Sequence, residues 1–163
     1  MVIGRRRDVS VVNRSLYLPE NVDHVAALEG KLHSPYGIDY FAIAGNRYPW
    51  HVVPDLVVGR PVYDNFLVST ASLYNLAVVD ATLSVVALHQ TDSEGLVSGR
   101  RCSDSNYNQN IIRRRFHGGC WHTDCTKYQT RVAATNDSFA KSYRLKWQKG
   151  RSVVIAERSN RKK

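Results

Sequence analysis

The stretch Val57-Val58-Gly59-Arg60-Pro61-Val62-Tyr63-Asp64-Asn65-Phe66-Leu67 is followed by Val78-Val79-Asp80-Ala81-Thr82 and then by Ala87-Leu88-His89-Gln90. Gly59 permits close backbone approach. Pro61 suits the first position of a helix, where a missing N–H costs nothing. Val62, Phe66, Leu67, Leu73 and Tyr74 then cover one broad face up to Asn75. This sets Asp64 in the first turn of a helix. The chain returns through two short apolar runs, Leu76–Val79 and Thr82–Leu88, which read as strands and lead to His89. The whole is a β-α-β pattern that places one carboxylate and one imidazole at element ends.

Working outward, residues 1–12 read as a strand, with Val9, Val11 and Val12 β-branched and Arg5-Arg6-Arg7 at an exposed edge or binding rim. Pro19-Glu20-Asn21 opens a helix running toward Leu32. His33-Ser34-Pro35-Tyr36-Gly37 is a turn, and Ile38–Ala44 a buried strand. Residues 45–55 are irregular, with Pro49 and Pro54 as breakers. After Thr91 the texture turns polar. Residues 126–140 are expected to form a helix, and Val153-Val154-Ile155-Ala156 either adds a last strand or lies beyond the core.

The 163 residues, 43% of them hydrophobic, suffice for one core rather than two. No run approaches the roughly 18 apolar residues of a membrane span. The early arginines argue against a secretory signal, and the start reads like the middle of a larger domain. The compartment stays undecided. Charge is unevenly placed: of the formal +9, residues 141–163 carry nine Lys or Arg against Glu157 alone, a net +8. The body is therefore nearly neutral. A basic tail of this kind is either a solvated end or an attractor of polyanions.

Several pieces together resemble a group of poorly characterised proteins with a glycosyltransferase-like nucleotide-diphospho-sugar fold. They are Ile3-Gly4-Arg5-Arg6-x-Asp8, Asp39-Tyr40-Phe41, Gly59-Arg60-x-x-Tyr63-Asp64-Asn65, Val79-Asp80-Ala81-Thr82, His89-Gln90 and Asp104-x-x-Tyr107-Asn108-x-Asn110. The resemblance spans residues 1–130. It implies an α/β chain corresponding to the second, C-terminal half of a glycosyltransferase A-type (nucleotide-diphospho-sugar transferase) fold. Residues 1–91 would form that half, 92–140 a polar extension with a Cys/His cluster, and 141–163 the basic tail.

By the same resemblance, Asp64 takes the acidic, catalytic position. Asp39, Arg60 and Asn65 take substrate-binding positions, and His89 takes that of the late histidine of a metal site holding manganese or magnesium. The partners implied are a nucleotide sugar and a glycan acceptor. An inverting transferase needs a base for the acceptor hydroxyl, which a nearby carboxylate supplies. The leaving diphosphate needs positive charge, and a neutral ring nitrogen can ligate the ion that provides it. A planar guanidinium at Arg60 suits phosphate or hydroxyl groups. No Asp-x-Asp donor motif precedes Asp39, so the chain is expected to be incomplete as a transferase, whether truncated or decayed.

Plainer roles exist for the same residues. Asp64 also serves simply to stabilise a helix start. His89 also reads as a hydrogen-bonded structural histidine, Asp80 as a turn former, and Arg60 as a partner for Asp64. Cys102, Cys120 and Cys125, with His117 and His122, lack the spacing of a standard knuckle, so zinc is not expected. Packed thiols are the default, with a Cys120–Cys125 disulfide the alternative in an oxidising compartment. Rival functions are a non-catalytic binding or scaffold domain and a polyanion binder acting through the tail and Arg113-Arg114-Arg115.

Overall fold

The computed structural model describes residues 1–10, 21–91, 103–113 and 120–130, and the backbone alone of strand residues 131–132, 144–146 and 152–157. Among these, the protein is a mixed α/β structure with two small sheets and few helices. The expected N-terminal strand is present but divided. Strand β1 (Val2–Gly4) and strand β2 (Arg7–Ser10) are separated by Arg5 and Arg6 and enter different sheets. Helix α1 (Val22–Leu28) follows, then β3 (Lys31–Leu32) and β4 (Tyr40–Ala42). After helix α2 (Tyr63–Leu73) come β5 (Val79–Asp80) and β6 (Leu88–Thr91). Helix α3 (Tyr107–Ile112) and strands β7 (Tyr128–Val132), β8 (Arg144–Lys146) and β9 (Ser152–Glu157) complete the described elements.

The larger sheet has the order β4-β1-β5-β7-β9-β8, and the smaller β3-β2-β6. The two parallel pairs β1/β5 and β2/β6 are the same two chain segments meeting twice. Val2 faces Val79 and Ile3 faces Asp80 in one sheet, while Asp8 faces His89 in the other. Between them the segments stay linked: Arg5 N–H donates to Thr82 Oγ1 at 3.0 Å and Arg7 N–H to Ala87 O at 2.7 Å. Asp80 is a turn former, as its plainer role requires. It is buried, and its Oδ1 accepts from the Thr82 N–H at 2.9 Å and from the Thr82 hydroxyl. The turn after Asp80 replaces most of the expected Thr82–Leu88 strand.

Helix α2 is buried more completely than its sequence stripe implies. Every residue from Asn65 to Ala71 is buried, while Leu73 and Tyr74, expected on the apolar face, are each 49% exposed. The small side chains Ser69, Thr70 and Ala71 let neighbours close on sides that a simple stripe leaves to solvent. Leu67, Val68 and Ala71 form the core with Ile3, Ile38, Tyr48 and Val78. The buried Tyr48 hydroxyl donates to Leu67 O at 2.8 Å. The helix ends in a Schellman motif: Asn75 turns left-handed at φ 55°, Leu76 N–H reaches Ala71 O at 2.9 Å, and Asn75 N–H reaches Ser72 O at 3.1 Å.

Two expectations are corrected by the sheet. Residues 128–132 are strand β7 rather than part of a helix over 126–140, in keeping with the β-branched Thr130 and Val132. Residues 133–140 lie outside the described part. Second, 141–163 is not simply a solvated end. Strand β9 pairs antiparallel with β7 over Val132↔Val153 to Tyr128↔Glu157, and β8 pairs with β9. The β-branched run Val153-Val154-Ile155 finds in β7 a strand whose other edge is already joined to β5. The boundaries at 91 and 140 are thus crossed by one continuous sheet.

Candidate functional site

The loop before α2 is held in an uncommon shape. Gly59 has φ 78°, and Val62, the residue capping the helix, has φ 67°. A β-branched residue in the left-handed region carries roughly 1–3 kcal/mol of strain. It also moves the helix start. Pro61 stands two residues before the first helical residue instead of occupying that position. The turn delivers Asp64 into the first turn of α2, with its Oδ2 accepting from Ile38 N–H at 3.0 Å. The segment around Asp39 and the start of α2 are thereby joined.

What anchors this loop is α3. The fully buried Asn108 amide accepts from Val57 N–H at 2.8 Å and donates to Val57 O at 2.9 Å and to Arg60 O at 3.3 Å. One turn earlier, Asp104 takes the Arg60 guanidinium in a fork, Nε to Oδ1 at 3.0 Å and Nη2 to Oδ2 at 3.1 Å. The partner of Arg60 is therefore Asp104, not Asp64. The Asp104-x-x-x-Asn108 spacing has a physical meaning here, since both side chains grip the Val57–Arg60 loop.

These elements enclose an open cleft of about 990 Å³. Asp39, Asp64, Asn65 and Arg60 all line it, and so do Arg6 and Trp121. Four of the five residues singled out in the sequence are thus brought together. Asn65, however, is largely committed to holding the walls. It is 6% exposed, and its Nδ2 donates to Tyr36 O at 3.0 Å and to Trp121 O at 2.8 Å. Burial pushes the Asp64 carboxyl above its ordinary pKa; backbone N–H donors, Ile38's first, oppose this, and the nearby Asp39 charge adds to the rise.

His89 is not on the cleft wall. It belongs to a chain of charges that begins at Asp39 on the cleft and ends in the smaller sheet. Asp39 Oδ1 accepts from Arg6 Nη1; Arg6 Nε donates to Asp8 Oδ1 at 2.7 Å; Asp8 Oδ2 meets His33 Nδ1 at 2.7 Å. His89 Nδ1 is buried without a hydrogen bond, 3.9 Å from Asp8 Oδ1. Burial alone would raise the Asp8 carboxyl, but the hydrogen bonds from His33 and Arg6 outweigh it and hold the carboxyl below its ordinary range. Asp8 is the one carboxylate beside His89 in this chain of charges, and a guanidinium already occupies it. This donor set does not fit a divalent ion, whose carboxylate ligands must face the metal rather than another cation. Among the described residues no group of three or more His, Cys, Asp or Glu is arranged to hold a metal.

The loop of residues 120–126 reaches the cleft through Trp121. Cys120 and Cys125 form a disulfide, with Cα atoms 5.2 Å apart, which is the alternative weighed in place of packed thiols. Cys102 and His117 lie outside the described residues. The short loop so closed carries Trp121, whose ring packs on Tyr36 at a centroid distance of 5.2 Å. Thr123 N–H donates to Pro35 O at 3.1 Å. Sequence reasoning missed Tyr36 and Trp121 as cleft residues. Trp121 was hidden among cysteines and histidines that suggested metal, and Tyr36 in a turn.

Comparison with family models, with characterised proteins and with solved structures gives no match to this chain. Among the described residues no helix is long and apolar enough to cross a membrane.

Proposed function

We propose that the chain is a glycosyltransferase-like domain whose cleft receives a sugar-bearing ligand, with Asp64 placed to accept a hydroxyl proton. The observation that carries this reading is that Asp39 and Asp64 line the same cleft, with Asp64 rigidly set by Ile38 N–H and pushed toward its protonated form by burial. A carboxyl with a raised pKa is a stronger base once ionised, which suits it to take a proton from an acceptor hydroxyl as the oxygen attacks an anomeric carbon. Asp39, held by Arg6, supplies a fixed acceptor for neighbouring hydroxyls. This is the acceptor half of a transferase. No step is assigned to a metal, because the surroundings of His89 do not fit one.

The test is ligand-observed NMR with a panel of nucleotide sugars and neutral oligosaccharides, on the full chain and on Asp39→Asn and Asp64→Asn. At least one class should bind, and Asp39→Asn should weaken it. Sugar transfer by the chain alone should stay undetectable with manganese present. The reading fails if no sugar-bearing compound binds, or if binding is indifferent to both substitutions.

A further inference from the structure

Both arginines on the described cleft wall are already neutralised. Arg6 lies between Asp8 and Asp39, and Arg60 is forked onto Asp104. His33, also on the wall, faces Asp8. The two cleft carboxylates, Asp39 and Asp64, have one guanidinium between them. A diphosphate entering here would meet negative charge with no uncommitted cation among these residues to receive it, and like charges in a partly desolvated site repel strongly. An uncharged, hydroxyl-rich molecule meets no such penalty, because its O–H groups donate to carboxylates.

Aromatic rings complete the complementarity. Tyr36 and Trp121 form one tilted pair on the wall, and Phe41 and Tyr63, with centroids 6.5 Å apart, form another. A pyranose presents an apolar C–H face and a rim of hydroxyls. Burying that face on rings while the rim reaches carboxylates satisfies both. The side-chain amides of Asn106 and Gln109, which also line the cleft, can donate to ring and glycosidic oxygens. At about 990 Å³ the cleft is at the upper end of small-molecule sites, roomy for more than one sugar ring.

We infer that the cleft is a subsite for an uncharged oligosaccharide, seated on the Tyr36–Trp121 rings with its hydroxyls on Asp39 and Asp64, and that it does not take the nucleotide diphosphate. This rests on the sugar-binding reading of the same cleft and names its substrate class.

The experiment is titration calorimetry with neutral β- and α-linked oligosaccharides, and in parallel with uridine and guanosine diphosphates and their sugars. Trp121→Ala should lower affinity for the best neutral oligosaccharide about tenfold, equivalent to about 1.4 kcal/mol. Trp121→Phe should restore most of it. Tyr36→Ala, at a half-exposed ring, is the second variant should Trp121→Ala fail to fold, and it should also weaken binding. The nucleotides should neither bind nor compete. Nucleotide sugars that bind and are displaced by the free diphosphate, with neutral saccharides inert, would overturn the inference while leaving the sugar-binding reading intact. Binding of neither class would sink both. Saccharide binding indifferent to Trp121→Ala and Tyr36→Ala would overturn the assigned seat.

Discussion

Asn108 bonds both backbone groups of Val57, accepting from its N–H at 2.8 Å and donating to its carbonyl at 2.9 Å. The two residues are 51 apart in sequence. A side-chain amide here imitates a neighbouring strand, and it fixes the loop that precedes the strained start of α2. With Asn108 wholly buried, nothing else among the described groups replaces it if it is removed.

Asn108→Ala should therefore destabilise the protein by roughly 2–4 kcal/mol, because it leaves buried backbone groups unsatisfied and opens a small void. Asn108→Asp keeps the acceptor but loses both donated bonds, and should be comparably harmful near neutral pH. Urea denaturation measures both. A loss below 0.5 kcal/mol for Asn108→Ala would show that the loop does not depend on this clamp.

Val62→Gly should leave stability unchanged or raise it by up to about 1 kcal/mol. Relief of left-handed strain at φ 67° offsets the greater backbone entropy of glycine in the unfolded chain. Thermal melts of the pair decide it. A marked loss would mean that the Val62 side chain contributes more through packing than its backbone costs.

The raised pKa of Asp64 gives a signed pH dependence. A carboxyl whose folded pKa lies above its unfolded value costs stability as pH rises through the interval between them, and the full cost persists at neutral pH. Asp64→Asn removes that cost while still offering an oxygen to Ile38 N–H. The variant should melt higher than the wild type at pH 7, and the gap should close on acidification. A constant gap across pH 3–7 would contradict the cause given for the shift.

Asp8 works in the opposite direction. Its folded pKa is depressed by His33 and Arg6, so its contribution is present above the ordinary carboxylate value and is lost as pH falls through the folded pKa. Asp8→Asn should destabilise at pH 7, leaving Arg6 with Asp39 alone and His33 short of a partner, and should differ little from the wild type in strong acid. Melting curves between pH 2 and 7 show whether the two traces converge.

Reduction of the Cys120–Cys125 disulfide should lower stability by about 2 kcal/mol, the chain-entropy value for so short a loop. It should also loosen the seat of Trp121, because the closed loop aligns Trp121 O with Asn65 and Thr123 with Pro35. Cys120→Ser/Cys125→Ser should mimic reduction, and the double variant should no longer respond to dithiothreitol. A wild-type melt unchanged by reductant would count against it.

The local pieces were legible along the chain. Pro61 and the apolar residues after it announced a helix with Asp64 in its first turn, the β-branched Val9 a strand near the N-terminus, and Leu76–Val79 another. These follow from φ restriction, side-chain branching and periodicity, which act over a few residues. Where Arg5-Arg6 would break the first strand was not legible, since that break depends on which neighbour each half meets. Whether Val153-Val154-Ile155-Ala156 adds a strand or lies beyond the core was open for the same reason: β9 depends on the edge that β7 offers. Partner choice was likewise a tertiary matter. Arg60 had Asp64 four residues away, yet it pairs with Asp104, because α3 is held against the Val57–Arg60 loop by Asn108. His89 lies inside β6 rather than at the end of an apolar strand, and pairing of β6 with β2 sets it beside Asp8 and off the cleft wall. Geometry between distant residues comes from packing one element on another, and periodicity along the chain carries no record of it.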